Sequence, residues 1–139
     1  MKNAECVDQY FCRVGELPSA QLTPQAHALI EVWHSFGLIQ NGGLHNYLCE
    51  IGSEAIKTAG HYRKLRLSRC AEMIESSYGL WAEYWPDSDP SDSDPDAFRR
   101  RFGHELDHIE REFYASEDEI VDQLAKFVSD EPSRPAADI

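Results

Sequence analysis

The fold is decided by residues 23–52, which read TPQAHALIEVWHSFGLIQNGGLHNYLCEIG. Thr23 followed by Pro24 is typical of a helix start, with Thr as the N-cap and Pro at the first helical position. Apolar residues then recur at the spacing of one buried helix face; they are Ala26, Leu29, Ile30, Trp33 and Phe36. Asn41-Gly42-Gly43 interrupts this pattern, because two adjacent glycines are poor helix formers and suit a tight reorientation of the chain.

Helical periodicity continues on both sides of this stretch, and no run alternates as a strand would. We expect further helices at about 4–14, 53–65 and 68–85, then one from Asp94-Pro95 and a last one from Ser116, where Ser116 and Glu119 form a capping box. A chain of 139 residues is enough for one modest core. The sequence predicts an all-α fold, a compact single-domain bundle of about six to seven helices over residues 1–129.

Two segments have the composition of solvated chain. Residues 86–96 read PDSDPSDSDPD, an Asp-rich, low-complexity loop that can bury nothing. Residues 130–139 are polar and contain proline, so we expect a flexible C-terminal tail.

Acidity is the outstanding feature of the composition. The chain has 13 Lys and Arg against 25 Asp and Glu, a net charge of −12, of which residues 1–86 contribute −2 and residues 87–139 contribute −10. Such a protein is repelled by nucleic acid and by anionic membranes and attracts basic proteins. We therefore expect a basic protein partner, with no direct nucleic-acid or membrane binding; acidity that serves only solubility is the alternative.

Candidate partner-binding residues are the acids without a local structural role. Acids in the first turn of a helix complement the helix dipole, so we do not count them as recognition residues. These acids are Asp94, Asp96, Glu117, Asp118 and Glu119. The others lie in the Asp-rich loop or flank the apolar stripe of the helix that follows it. The predicted recognition residues are Asp87, Asp89, Asp92, Asp107, Glu110 and Glu112.

One catalytic motif needs an explanation. His104-Glu105-Leu106-Asp107-His108 matches H-E-x-x-H, in which two His hold zinc and Glu activates water. At about 100° per residue, however, His104 and His108 fall opposite the apolar stripe and face solvent, whereas catalytic zinc needs a shaped cavity. We expect no enzyme activity, metal or cofactor, with a zinc hydrolase on His104, Glu105 and His108 as the alternative. The other histidines are scattered along the sequence.

The cysteines and the start of the chain bear on location. Cys6, Cys12, Cys49 and Cys70 form no C-x-x-C pair. No apolar run resembles a secretion signal or approaches membrane-spanning length. The sequence predicts a cytoplasmic protein with reduced thiols.

Two short segments resemble a known family. Leu38-Ile39-Gln40, Asn41-Gly42-Gly43 and His45-Asn46-Tyr47 form the first segment; Leu106-Asp107 and Glu112-Phe113-Tyr114 form the second. They are similar to the bacterial DNA-mimic protein family, the DMP-nineteen-like helical domains of unknown function, over about residues 25–128. In that family an aromatic is common where Leu44 stands, Gln where Asn46 stands and Phe where Leu48 stands.

The resemblance implies an all-helical domain, often dimeric, with no known catalytic residues and with Leu106-Asp107 in a structural pattern. We therefore expect a homodimeric DNA mimic that occupies the basic surface of a DNA-binding or other basic protein, since Arg and Lys that clamp phosphate can also clamp carboxylate. A non-catalytic dimeric scaffold and a toxin-neutralising protein are further alternatives.

Overall fold

The computed structural model describes residues 3–14, 22–85 and 94–130, and within these ranges every regular element is a helix. The helices are α1 Asn3–Val14, α2 Pro24–Ile51, α3 Glu54–Lys64, α4 Ser68–Tyr84, α5 Pro95–Ala115 and α6 Glu117–Asp130. The all-α prediction is confirmed, with six helices in the described part of the chain. The predicted tail lies almost wholly outside the described residues, and so does most of the predicted Asp-rich loop.

Helix α2 is the centre of the arrangement. It packs against α3, α4 and α5, while α4 also contacts α5 and α1 packs against α6. Phe11 of α1 stacks on Trp33 of α2 with ring centroids 5.7 Å apart, which joins the α1–α6 pair to the rest. The buried apolar side chains form one core cluster. Its largest fully buried members include Tyr62, Phe98 and Phe113.

The helix starts follow the sequence signals at two of three places. The Thr23 hydroxyl accepts from the Ala26 backbone N–H at 3.0 Å, and the Asp94 carboxylate accepts from the Asp96 N–H at 3.0 Å. Ser116, predicted to form a capping box with Glu119, instead donates its hydroxyl to the Glu112 carbonyl at 3.0 Å. Ser116 is buried at the junction of α5 and α6, so its hydroxyl bonds a carbonyl at the end of the preceding helix.

The glycine pair makes a kink and does not end the helix. Helix α2 runs from Pro24 to Ile51, and only Gly43 leaves helical backbone angles, with φ 82° and ψ 166°. A Cβ at this position would lie 2.8 Å from Glu110 Oε1 and 2.9 Å from the His45 ring. Gly43 is therefore required twice, for its left-handed φ and for the close approach of α5.

No helix in the described ranges is long and apolar enough to span a membrane. None of the four cysteines is in a disulfide; Cys49 and Cys70 are buried, and Cys12 is exposed.

Gly43→Ala tests the kink, and Gly37→Ala in the same helix is its matched control. A side chain at residue 43 strains the backbone and displaces the Glu110 carboxylate, so we expect unfolding free energy to fall by about 2 kcal/mol or more. Gly37 has no atom within 4 Å of an added Cβ. Alanine there should stabilise the protein by roughly 0.5–1 kcal/mol, because it is the better helix former. Urea denaturation measures both changes in unfolding free energy. Equal changes for the two substitutions contradict a specific requirement for glycine at residue 43.

Candidate protein-binding surface

The predicted recognition residues fall into three groups in the structure. Asp87, Asp89 and Asp92 lie outside the described residues. Asp107 and Glu112 are on the outer side of α5, with side chains 47% and 38% exposed. Glu110 is 7% exposed and does not belong to any surface.

The expectation that Glu110 contributes to a recognition surface is corrected by its surroundings. Its Oε1 accepts a 2.7 Å hydrogen bond from the Leu44 backbone N–H, directly after the kink in α2. Its Oε1 also lies 3.8 Å from His45 Nδ1, and its Oε2 lies 3.7 Å from Arg99 Nη1. The carboxylate thus acts as an N-cap for the second half of α2. A buried charge needs such partners, and at 7% exposure the Glu110 carboxylate itself is not available to a partner protein.

Asp107 and Glu112 are exposed but already paired within the chain. Arg99 Nη2 donates to Asp107 Oδ1 at 2.7 Å, and Arg69 Nη2 of α4 donates to Glu112 Oε2 at 3.0 Å. The Arg69 guanidinium holds the pKa of Glu112 below its usual value. Exposed pairs of this kind contribute little to stability, so a partner's arginine can replace Arg69 at small cost.

The histidine pair lies where the helical angles placed it. His104, Glu105 and His108 are all exposed on α5. His108 Nε2 lies 3.2 Å from Glu112 Oε1, one turn further along, with 73% of its side chain exposed. Within the described ranges, no three His, Cys, Asp or Glu residues are placed to hold a metal ion. The motif has the spacing of a zinc site, but its side chains are exposed, whereas hydrolytic zinc requires an enclosing cavity.

The start of α6 adds exposed acids that the sequence argument had assigned to helix capping. Glu117, Asp118 and Glu119 are all exposed, and the Gln40 amide donates to Glu117. The hydrogen bond to Glu112 is the main cause that raises the pKa of Arg69, and the charges of Glu112 and, more weakly, Glu119 act in the same direction. Helices α5 and α6 thus present carboxylates around the same cation. A carboxylate in a first helical turn can complement the dipole and still face a partner.

The outer side of α5 is not uniformly negative. Arg100, Arg101 and Arg111 are exposed on it, and the Arg101 guanidinium lies 4.8 Å from the centre of the Phe102 ring. Residues 94–130 nevertheless carry 11 acidic and 5 basic side chains. The described surface therefore has a net negative field interrupted by arginines.

The comparison with known families decides what kind of domain this is. The family model for DMP19-like proteins matches residues 20–131, well over half of the chain. The chain belongs to the DMP19-like protein family. The resemblance expected from the sequence is confirmed, with bounds close to those anticipated. No curated protein and no solved structure matches the chain.

The two segments that carry the DMP19-like resemblance contact each other in the fold. The Tyr114 hydroxyl donates to the Ile39 carbonyl at 3.1 Å, before the kink of α2. Glu110 accepts from the Leu44 N–H, directly after the kink. Asn46 Nδ2 also donates to the Gly42 carbonyl at 2.6 Å. The segments around residues 38–47 and 106–114 thus form one structural unit, the kink of α2 and the part of α5 that supports it.

Glu110→Ala tests this support, with Glu110→Gln and Glu105→Ala as matched controls. Alanine leaves the buried Leu44 N–H without its acceptor, and we expect a loss of about 2 kcal/mol or more in unfolding free energy. Glutamine retains an oxygen that can accept the same bond, so it should cost less. Glu105 is exposed on the same helix. Its substitution should change stability by less than about 0.5 kcal/mol. A Glu110→Ala protein as stable as Glu105→Ala, in chemical denaturation, refutes the capping role.

Proposed function

We propose that this domain is a cytoplasmic, non-enzymatic DNA mimic that occupies the basic surface of a DNA-binding protein or of another basic protein. Family membership is consistent with this role. The observation that carries it is the segregation of charge, since residues 87–139 hold a net −10 of the chain's −12. A coat of charge that serves only solubility needs no such asymmetry.

The chemistry of recognition follows from the groups exposed on α5 and α6. Carboxylates accept paired hydrogen bonds from arginine in a geometry similar to that of phosphate oxygens. Asp107 and Glu112 already bind arginine side chains within the chain, and this pairing supports recognition of a partner's guanidinium groups. Both are fixed on a helix that is anchored to α2 through Glu110, so little backbone ordering opposes binding.

The proposed recognition residues are the loop acids Asp87, Asp89 and Asp92 together with Asp107 and Glu112, and we add the exposed acids Glu117, Asp118 and Glu119. We also propose that the domain acts as a homodimer, which would present two such surfaces. A zinc hydrolase on α5 is disfavoured by the exposure of His104 and His108. A scaffold whose acidity serves only solubility is the remaining alternative.

A competition assay tests the proposal. A fluorescent DNA duplex is bound to each member of a panel of purified basic DNA-binding proteins from bacteria, and the domain is titrated in. We expect it to displace DNA from at least one of them, and its affinity to weaken on the order of tenfold or more between 50 and 200 mM salt. Failure to displace DNA from any member at low salt contradicts the mimic.

Matched charge variants separate a specific surface from total charge. In the test variant Asp87, Asp89, Asp92 and Asp107 become Asn and Glu112 becomes Gln. The control neutralises five exposed acids within residues 1–86, namely Glu5, Asp8, Glu50, Glu72 and Glu83. Both variants lose the same charge, but only the first should weaken DNA displacement by roughly tenfold or more. Equal weakening by the two variants means that net charge alone is responsible, which contradicts a defined recognition surface.

A further inference from the structure

A cavity of about 500 Å³ lies between α2 and α3, away from the acidic surface. Its lining includes the imidazoles of His27, His34 and His61, the carboxylates of Glu31 and Glu54, and the ammonium group of Lys57. These histidines are scattered along the sequence, and His61 is far from His27 and His34 in the chain. In the fold, His61 of α3 lies next to His27 of α2.

His27 and His61 form a close pair across the two helices. Their ring centroids are 5.3 Å apart. Two imidazoles on one tetrahedral zinc have their ring centres about 5 Å apart, because each Zn–N bond measures about 2.0–2.1 Å. The pair therefore has the separation that two ligands of a shared metal require.

Glu31 supplies a carboxylate beside this pair. Its Oε1 lies 3.8 Å from His27 Nε2, one helical turn away on α2. Nitrogen and oxygen ligands on one zinc are about 3.3 Å apart, so a small side-chain rotation brings Glu31 within coordinating distance. As described, no three such donors converge on a point. The core of the site is thus the two imidazoles, with Glu31 as an adjustable third group and water completing the shell.

The donor groups of this cluster suit a transition-metal ion. Burial lowers the pKa of His61 and so favours the neutral ring with its available lone pair, whereas the charge of Glu31 acts in the opposite direction. Imidazole nitrogen with carboxylate oxygen is a donor set that suits Zn²⁺, Ni²⁺ and Cu²⁺ and is poor for Ca²⁺ or Mg²⁺.

We propose that His27 and His61 bind one divalent transition-metal ion at the exposed side of this cavity, with Glu31 as the nearest additional ligand. The ion links the first half of α2 to α3, so it stabilises the folded state in proportion to its concentration and affinity. This site is independent of the acidic surface and of the H-E-x-x-H motif.

Zinc titration calorimetry on tag-free, chelator-treated protein tests the site. Wild type should bind Zn²⁺, and His27→Gln and His61→Gln should each weaken that binding on the order of tenfold or more. The matched control is His104→Gln with His108→Gln, which removes the exposed pair of α5 and should leave the affinity unchanged. Circular dichroism verifies that each variant is folded. Absent zinc binding, or loss of binding only in the α5 variant, overturns the proposal.

A second measurement uses wild type alone and does not depend on how the variants fold. Substoichiometric Ni²⁺ broadens the NMR signals of imidazole rings that lie near the bound ion. The His27 and His61 ring signals should broaden first, before those of His104 and His108. Broadening that begins at the α5 pair, or is equal at all histidines, means that only adventitious ion binding takes place.

Discussion

The fold depends on one buried hydrogen bond, from the Leu44 backbone N–H to Glu110 Oε1 at 2.7 Å. A kink in a helix leaves backbone groups without their usual partners, and a buried unpaired N–H costs about 1–3 kcal/mol. Glu110 satisfies that group, and Gly43 allows the carboxylate to approach because it has no Cβ. The same contact fixes α5 against α2, so the orientation of the exposed acids on α5 depends on a buried residue.

Much of the fold was predictable from local signals. The starts of α2 and α5 follow Thr23-Pro24 and Asp94-Pro95, where cap and helix are adjacent in sequence. The role of Glu110 was not predictable in this way. On α5, Glu110 and Glu112 lie about 80° to either side of Phe102, so helical angles treat them alike. They differ because α2 packs against the side of α5 that carries Glu110. The Leu44 N–H to which Glu110 bonds is 66 residues away in sequence.

The charge of the candidate surface was predictable from composition, but its pairing was not. Arg69 reaches Glu112 from another helix, a contact that only the packing of α4 on α5 creates. His27 and His61 likewise meet only because α2 and α3 pack together. The angular argument did place His104 and His108 correctly on the exposed side, since both lie on one helix and need no tertiary information. The sequence therefore predicts the exposure of a side chain on its own helix more reliably than its contacts with side chains of other helices.

The central claim is that one α5 carboxylate serves the kink while its neighbours serve the surface. Amide hydrogen exchange at Leu44 tests it most directly, because that N–H is the donor in question. The account predicts slow exchange in wild type, a large acceleration in Glu110→Ala, and wild-type exchange when Asp107 or Glu112 is replaced by Ala. Unchanged protection of Leu44 in Glu110→Ala, or equal acceleration in all three variants, would contradict it.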